Sequence, residues 1–457
     1  MVIQRGFRRT FVVVLLVLAV LVGAFATLDR AQGPKLSSAQ IDPVSVALSP
    51  AQTLQLSVNQ PIAPVKRSEV SIRPAAPFTV LASMQQVVLR FPQPLHYATT
   101  YRVEIAHLTS AADGVESTLR YTFRTADSAI YYLQRNAGVP DRIIRIGIGA
   151  TTQATVYSAV RIQDFAVLKG SLAVVTLNSR GDSALSLISA TGRVRPVPLP
   201  GVGAIGVIHA DDAAGAIGFT FTSSGVAGGH TQDLFLLTPD SSLTPVAVKG
   251  LGGTPLAALN WYFVPGSSDV VVLGSDGSAL LANPTNPSAT TPFGSYFTLN
   301  SVSPDGKTAS VSDIDGALSI ALPGGKPSRL TPSHPGGAAV IGGAAQLIPG
   351  GWLQIDSVYD ATTGGFTEHL AFDNGSTARD LFTPANPLGS IDSFSVSPGA
   401  QYVSIETTPD VATAKPDGYR VNGRAASVTT ELVDVATGTL LATLQGFDAQ
   451  WSTQGVP

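Results

Sequence analysis

The segment Phe297–Thr331, FTLNSVSPDGKTASVSDIDGALSIALPGGKPSRLT, contains four short apolar runs separated by turn sequences. Ser-Pro-Asp-Gly at 303–306 and Asp-Gly at 315–316 are typical of tight turns between antiparallel strands. Apolar and small residues alternate within the runs, as expected for strands that bury at least one face. The segment is therefore predicted to form one sheet of four short strands.

The same pattern recurs along residues 127–457. Degenerate copies begin at Phe165, Val207, Trp261, Ala345 and Phe394. When their turns are aligned with Pro304, the successive spacings are 42, 55, 39, 45 and 49 residues. Periods of this size with four strands per unit are typical of β-propeller blades.

The two ends of this region predict how the ring closes. Phe447–Ser452, FDAQWS, has the pattern of the first strand of a further unit that then stops. Strand-like runs that begin at Ala129, Arg142 and Thr155 could complete that unit. Joining both ends in one sheet removes the open edges of the ring. We therefore predict an all-β region, 127–457, that forms a seven-bladed propeller, with six to eight blades possible.

One repeat carries a recognisable family pattern. Ser303-Pro304-Asp305-Gly306-Lys307, followed by Arg329-Leu330-Thr331, resembles the repeat of TolB-type and WD-like β-propellers. Only the copy around Pro304 carries the pattern in full. The resemblance implies binding of a protein or ligand at one face of the propeller.

Residues 41–126 are predicted to form a separate β-sandwich. Apolar residues alternate in the five runs TLQLSV, EVSIR, QVVLRF, TYRVEI and LRYTFR, which predicts antiparallel strands with one buried face. The motifs SVNQP at 57–61, LHYATTY at 95–101 and YTFRT at 121–125 resemble a bacterial immunoglobulin-like domain of the S-layer type. In such a domain Tyr101 would form a tyrosine corner, with a buried ring and a hydroxyl bonded to upstream backbone. The resemblance implies a spacer or adhesive module.

The N-terminus predicts export. Arg5, Arg8 and Arg9 precede an uncharged run from Phe11 to Leu28. This pattern favours a signal anchor that spans the cell membrane once, with the rest of the chain outside the cytoplasm. The alternative is a secretory signal peptide that is cleaved after Ala26, which would release the protein. Residues 29–40 are polar and are predicted to be a linker.

Composition narrows the classes of partner and chemistry. The chain has no cysteine, which excludes disulfides and thiol catalysis. Residues 127–457 carry 16 Lys/Arg and 25 Asp/Glu, and an acidic region repels nucleic acid. No catalytic, metal-binding or cofactor-binding motif is recognisable, and the six histidines are dispersed. We expect no cofactor.

One irregular segment interrupts the repeat that begins at Phe394. Residues 408–427, TPDVATAKPDGYRVNGRAAS, carry basic and aromatic side chains in an otherwise acidic region. Long loops in compact domains are often functional, and Tyr and Arg are favoured at binding hot spots. The candidate partner-contact residues are Lys415, Tyr419, Arg420 and Arg424. A solvated or locally packed loop is the alternative.

Two functions are compatible with these features. The first is a membrane-anchored extracytoplasmic binding or scaffold protein, with an envelope protein or glycan as partner and the propeller as platform. The second is an extracytoplasmic carbohydrate-active or hydrolytic enzyme with its active site at a propeller face. Carboxylates or histidines that converge in one pocket would favour the enzyme. The absence of catalytic motifs favours binding.

Overall fold

The chain divides into two compact units, Met1–Asp127 and Ser128–Pro457. The computed structural model describes residues 11–18, 20, 33–136, 138–148, 152–168, 171–212, 214–225, 228–238, 242–333, 340–361 and 364–452. Antiparallel strands make up most of the regular structure of both units, so the all-β prediction is confirmed.

The first unit contains two antiparallel sheets. Its strands are β1 (Leu36–Gln40), β2 (Gln52–Val58), β3 (Val70–Arg73), β4 (Thr79–Ser83), β5 (Gln86–Phe91), β6 (Thr100–Thr109) and β7 (Glu116–Arg124). One sheet has the order β1-β2-β5-β4 and the other β3-β6-β7. A one-turn helix, Ser45–Leu48, and a 3₁₀ turn, Arg67–Glu69, lie between strands.

One apolar core joins the two sheets of this unit. Alternate residues of β2 and β5, such as Leu54, Leu56 and Leu89, are fully buried in it. Tyr101 is fully buried as well, and its hydroxyl accepts a hydrogen bond from the backbone N–H of His96 at 3.1 Å. This upstream bond and the buried ring confirm the structural role that the sequence predicted for Tyr101.

Two predictions about the N-terminal region need correction. Among the described residues no helix is both long and apolar enough to cross a membrane, so the prediction of a single-pass cell-membrane protein is wrong. Residues 11–18 and 20 of the predicted 11–28 span are helical. The cleavage site predicted after Ala26 lies outside the described residues.

The second correction concerns the predicted linker at 29–40. Its last five residues form strand β1, which pairs with β2 at the edge of the first sheet. Leu36 and Ala39 pack against the core, while the other positions are polar. An edge strand tolerates such a polar composition because one of its sides faces solvent.

In the described residues of the second unit, 28 strands form seven four-stranded sheets. The first sheet contains β8 (Ala129–Gln134), β9 (Asp141–Gly147), β10 (Gln153–Ala159) and β35 (Phe447–Trp451). The next three contain β11 (Ile162–Leu168), β12 (Ser171–Leu177), β13 (Ser183–Ser189), β14 (Val194–Val197); β15 (Gly203–Asp211), β16 (Ala216–Ser223), β17 (Asp233–Leu237), β18 (Val246–Ala247); and β19 (Asn260–Phe263), β20 (Val270–Leu273), β21 (Ser278–Ala282), β22 (Thr291–Ser295). The last three contain β23 (Thr298–Val302), β24 (Thr308–Asp313), β25 (Gly316–Ala321), β26 (Ser328–Arg329); β27 (Val340–Ile348), β28 (Gly351–Asp360), β29 (Gly365–Asp373), β30 (Ala378–Phe382); and β31 (Ser390–Val396), β32 (Tyr402–Thr408), β33 (Thr429–Asp434), β34 (Leu440–Gln445). A 3₁₀ turn, Pro287–Ala289, precedes β22.

The sheets follow one another in a propeller-like arrangement. The first strand of one sheet contacts the first strand of the next, from β11 through β15, β19 and β23 to β27, and β35 contacts both β31 and β11. The first sheet is completed across the chain, since β35 pairs antiparallel with β8. The predicted joining of both ends in one sheet is thus observed.

Neighbouring sheets are linked by a recurring hydrogen bond. In three sheets, the first isoleucine of the first strand donates its backbone N–H to a side-chain oxygen of the preceding sheet. The pairs are Ile162 to Asp141 Oδ2 (2.8 Å), Ile205 to Ser183 Oγ (2.9 Å) and Ile391 to Glu368 Oε2 (2.6 Å). These bonds satisfy backbone donors that the ladders leave unpaired.

Candidate functional site

Acidic residues lie at bulges in three strands, β11, β31 and β35. The pairing register shifts between Ile162 and Asp164 in β11, between Ile391 and Ser393 in β31, and between Phe447 and Gln450 in β35. A bulge inserts a residue into one strand and changes the direction of the side chains beside it. Asp164, Asp392 and Asp448 lie at these three irregularities.

Three carboxyl groups from different strands form a cluster. Asp164 and Asp448 are hydrogen-bonded through their side chains, and the backbone N–H of Asp448 donates to Glu406 Oε1 at 2.5 Å. Burial and the neighbouring Asp448 raise the pKa of Asp164 well above its usual range. Burial also raises the pKa of Asp448. The pKa of Glu406 is raised by burial and, to a smaller extent, by the charge of Asp448. Like charges this close oppose each other's ionisation, which favours a proton shared by the Asp164–Asp448 pair.

The irregular segment packs over this cluster. Residues 409–428, between β32 and β33, are called the insertion here. Asn422 of the insertion donates to Asp164 Oδ2 at 2.7 Å and to the Gly206 carbonyl at 3.2 Å. The Tyr419 hydroxyl donates to Asp141 Oδ2. The insertion therefore reaches from the last sheet to the first, second and third sheets.

A buried ion pair fixes the insertion. Arg135 Nη1 contacts Asp417 Oδ2 at 2.5 Å, and these side chains are only 4% and 6% exposed. The same guanidinium donates to the carbonyls of Ile162 and Asn422 and lies 3.7 Å from the centre of the Tyr419 ring. These several hydrogen bonds on one planar guanidinium make the contact geometrically specific.

The four candidate contact residues occupy different environments. Lys415 and Arg420 are exposed, whereas Tyr419 and Arg424 are half-buried. Tyr419 holds the insertion in place through its ring and its hydroxyl. Burial, and then its bond to Asp141, raise the pKa of Tyr419 well above its usual range. Of the four residues, Lys415 and Arg424 line the cleft described next.

An open cleft of about 580 Å³ lies beside the insertion. Its polar lining comes from β31, β32 and the insertion: Asp392, Ser393, Glu406, Thr408, Lys415 and Arg424. Asp392 is already bonded, since it accepts from the hydroxyls of Ser390 at 2.7 Å and Thr408 at 2.6 Å.

Glu406 and Arg424 are bonded less completely. Arg424 Nε lies 3.7 Å from Glu406 Oε2, a distance that gives charge attraction without a hydrogen bond. The Ser393 side chain forms a hydrogen bond with the Glu406 carboxylate. In the described part of the chain, Glu406 Oε2 and Arg424 Nε themselves have no hydrogen-bond partner. The Glu406 side chain is only 8% exposed, and a buried carboxylate oxygen without a donor is costly. The pair is therefore suited to a ligand group that accepts a hydrogen bond from Arg424 and donates one to Glu406.

The histidines do not add to this site. His209 packs against Trp261 and Tyr262, with ring centres 5.1 and 4.9 Å away, and burial lowers its pKa to about 4. His334 lies outside the described residues. Within the described ranges, no group of three or more His, Asp and Glu side chains is arranged to hold a metal ion.

The carboxyl cluster was missed by sequence reasoning. Its members, Asp164, Glu406 and Asp448, are far apart in the chain and meet only because the ring closes. A weak signal was present, because an acid follows within two residues of the first apolar residue of β11, β31 and β35. Asp is disfavoured inside strands, so its recurrence at one place in the repeat indicates a special position.

Comparisons with known proteins identify no family. No family model matches the chain, and no curated protein matches it. Among solved structures, a protein from Lactobacillus plantarum is 11% identical with a TM-score of 0.44, covering 72% of this chain and 100% of its own. Dihydro-heme d1 dehydrogenase NirN is 12% identical with a TM-score of 0.41, covering 71% and 75%. Puromycin hydrolase is 14% identical with a TM-score of 0.39, covering 62% and 46%. Likenesses at this level support no inference about activity, ligand or partner.

Proposed function

We propose that the second unit is a seven-bladed β-propeller that binds a hydroxyl-bearing ligand, such as a small polar molecule or the end of a glycan, in the cleft beside the insertion. The first unit is then an immunoglobulin-like spacer or adhesive module. The seven sheets and the pairing of β35 with β8 support the blade count. The two-sheet core of the first unit, with Tyr101 bonded to upstream backbone, supports the immunoglobulin-like assignment.

One observation carries the binding proposal. Glu406 Oε2 and Arg424 Nε face each other at 3.7 Å in the cleft, and neither has a hydrogen-bond partner in the part of the chain that the structure describes. A hydroxyl group can accept from Arg424 and donate to Glu406 at the same time. Such a contact removes two unsatisfied buried groups, each of which costs about 1–3 kcal/mol.

Saturation-transfer NMR with glucose, glucuronate, glucosamine and glycerol tests this function. Arg424→Met keeps the length of the side chain but removes the donor, so it is expected to abolish the transfer signals. Arg420→Met is the matched control, since Arg420 is an exposed arginine of the same insertion outside the cleft lining. Unchanged signals in Arg424→Met, or no signal with any probe, would reject the proposal.

A second candidate function, hydrolysis, is favoured by the Asp164–Asp448 pair. The ionised carboxyl could take a proton from water while the protonated one gives its proton to the leaving group. Hydrogen-bonded carboxyls are closer than the separation of about 5 Å or more found in glycosidases, so esters or amides are the better substrates.

Release of 4-nitrophenol from 4-nitrophenyl acetate, followed between pH 4 and 8, tests hydrolysis. Asp164→Asn is expected to abolish turnover, whereas Asp315→Asn, in an exposed hairpin turn, is expected to retain it. Equal rates in the two variants would exclude the pair as the catalytic group.

A further inference from the structure

The insertion forms a small hairpin that carries both cations of the cleft. Pro416 and Ala425 form a β-bridge, Ala426 N–H donates to the Lys415 carbonyl at 2.7 Å, and Asp417 N–H donates to the Arg424 carbonyl at 2.9 Å. Lys415 and Arg424 are therefore diagonal neighbours on paired arms. Diagonal neighbours in an antiparallel pair lie about 7–8 Å apart, roughly the width of a sugar ring.

The charged side chains of the cleft differ in whether they already have a partner within the protein. Asp392 is held by two hydroxyl groups, and Arg424 lies opposite Glu406. Lys415 is exposed and has no acidic partner among the described residues. Its ammonium is therefore the charged group of the cleft that is open to a ligand.

Protonation shifts this balance toward positive charge. Asp392 and Glu406 balance Lys415 and Arg424 when all four groups are ionised. Burial and the charge of Asp448 raise the pKa of Glu406. A protonated Glu406 leaves Arg424 without its counter-charge, and its hydroxyl can still donate to a ligand oxygen. The cleft then carries a net positive charge within a unit that is acidic as a whole.

We propose that the ligand of this cleft is a sugar acid, with a hydroxyl between Glu406 and Arg424 and a carboxylate on Lys415. This inference rests on the proposed binding function and names its ligand class. A uronate fits because hydroxyl groups and a carboxylate project from the same ring. An amino sugar would bring its ammonium toward Lys415 and Arg424.

Isothermal titration with glucuronate and glucose tests the ligand class, since the two differ only in a carboxylate or hydroxymethyl group at C6. One charge-assisted contact predicts about tenfold tighter binding of glucuronate. Lys415→Met is expected to reduce that preference to about one without weakening glucose. Lys326→Met, which changes an exposed lysine in the connection between β25 and β26, is expected to keep the preference.

The outcomes separate this inference from the proposed function. Equal affinity for both sugars, or tighter binding of glucosamine, would overturn the sugar-acid assignment and leave hydroxyl binding standing. A preference that survives in Lys415→Met would remove Lys415 from the site and overturn the assignment as well. No binding of glucose, glucuronate, glucosamine or glycerol would overturn both proposals.

Discussion

The carboxyl pair Asp164–Asp448 couples protonation to folding. Folding raises the pKa of Asp164 well above the value of about 4 that an unfolded chain gives it. Between these two values the folded protein holds a proton that the unfolded chain has released. Stability is therefore fully present at acidic pH and is lost as the pH rises through the raised pKa.

Asp164→Asn is expected to flatten this pH dependence. The amide oxygen can still accept from Asn422, and the amide nitrogen can donate to an ionised Asp448. Thermal unfolding between pH 4 and 8 would measure the effect, with Asp315→Asn as control. A wild-type melting temperature that rises with pH, or an unchanged slope in Asp164→Asn, would contradict the shared proton.

Arg135 is the other single residue on which the site depends. Arg135→Ala removes the partner of the buried Asp417 and leaves several carbonyls without a donor. Breaking a buried pair in this way costs about 3–5 kcal/mol. Urea unfolding of the second unit should show this loss as a lower midpoint.

The control is an ion pair of the same type on the surface of the same unit. Arg329 binds Asp313 at 2.6 Å, but both side chains are 33% exposed. Arg329→Ala is expected to lower the midpoint much less, because water can replace the lost contacts. If both variants lowered the urea midpoint equally, the Arg135–Asp417 pair would not be what stabilises the position of the insertion.

At the scale of elements, the closing strand β35 is the critical one. It pairs with β8, contributes Asp448 to the carboxyl cluster, and Gln450 donates to the Phe165 carbonyl at 2.6 Å. Deleting residues 446–457 should expose the edge of β8 and abolish the cooperative transition of the second unit, as seen by circular dichroism and limited proteolysis.

Deleting only residues 453–457 is the control for this truncation. It retains the whole of β35 and should unfold like the full chain. Cooperative unfolding after loss of 446–457 would show that the strand closure is dispensable.

The repeat made these elements predictable, but the packing of the insertion was not. Strand runs and Asp-Gly turns in Phe297–Thr331 specify a sheet locally, and Phe447–Ser452 as an unfinished unit specifies the closure. The insertion has no period, and its contacts with Arg135, Asp141 and Asp164 are all made across the ring. Deleting the whole insertion would therefore also disturb the fold. Substitutions of Lys415 and Arg424 are the better test of its role in binding.

At the scale of the whole molecule, the sequence predicted a division between residues 126 and 127, where alternating runs give way to repeats, and the two compact units divide one residue later. The site was less predictable, because a carboxyl cluster depends on which strands become neighbours across hundreds of residues. Tyr419 shows the limit clearly. An aromatic residue in a polar loop looks like a contact residue, yet its hydroxyl and ring are engaged within the fold.

The two units are expected to fold independently. The first has its own core around Leu54, Leu89 and Tyr101, and the apolar clusters of the second contain only residues beyond 128. A unit with its own core can fold alone. Residues 128–457 produced without the first unit should therefore unfold cooperatively and keep the binding of the full chain.

Calorimetry of the full chain and of fragments 33–127 and 128–457 measures this independence. Each fragment should melt close to its transition in the full chain. A loss of about 1 kcal/mol corresponds to a shift of about 4 °C for 33–127 and of less than about 2 °C for the much larger 128–457. A larger drop in 128–457 would mean that the first unit stabilises the propeller-like unit. An unfolded 128–457 fragment would contradict independent folding, because the closure of β8 by β35 lies entirely within it.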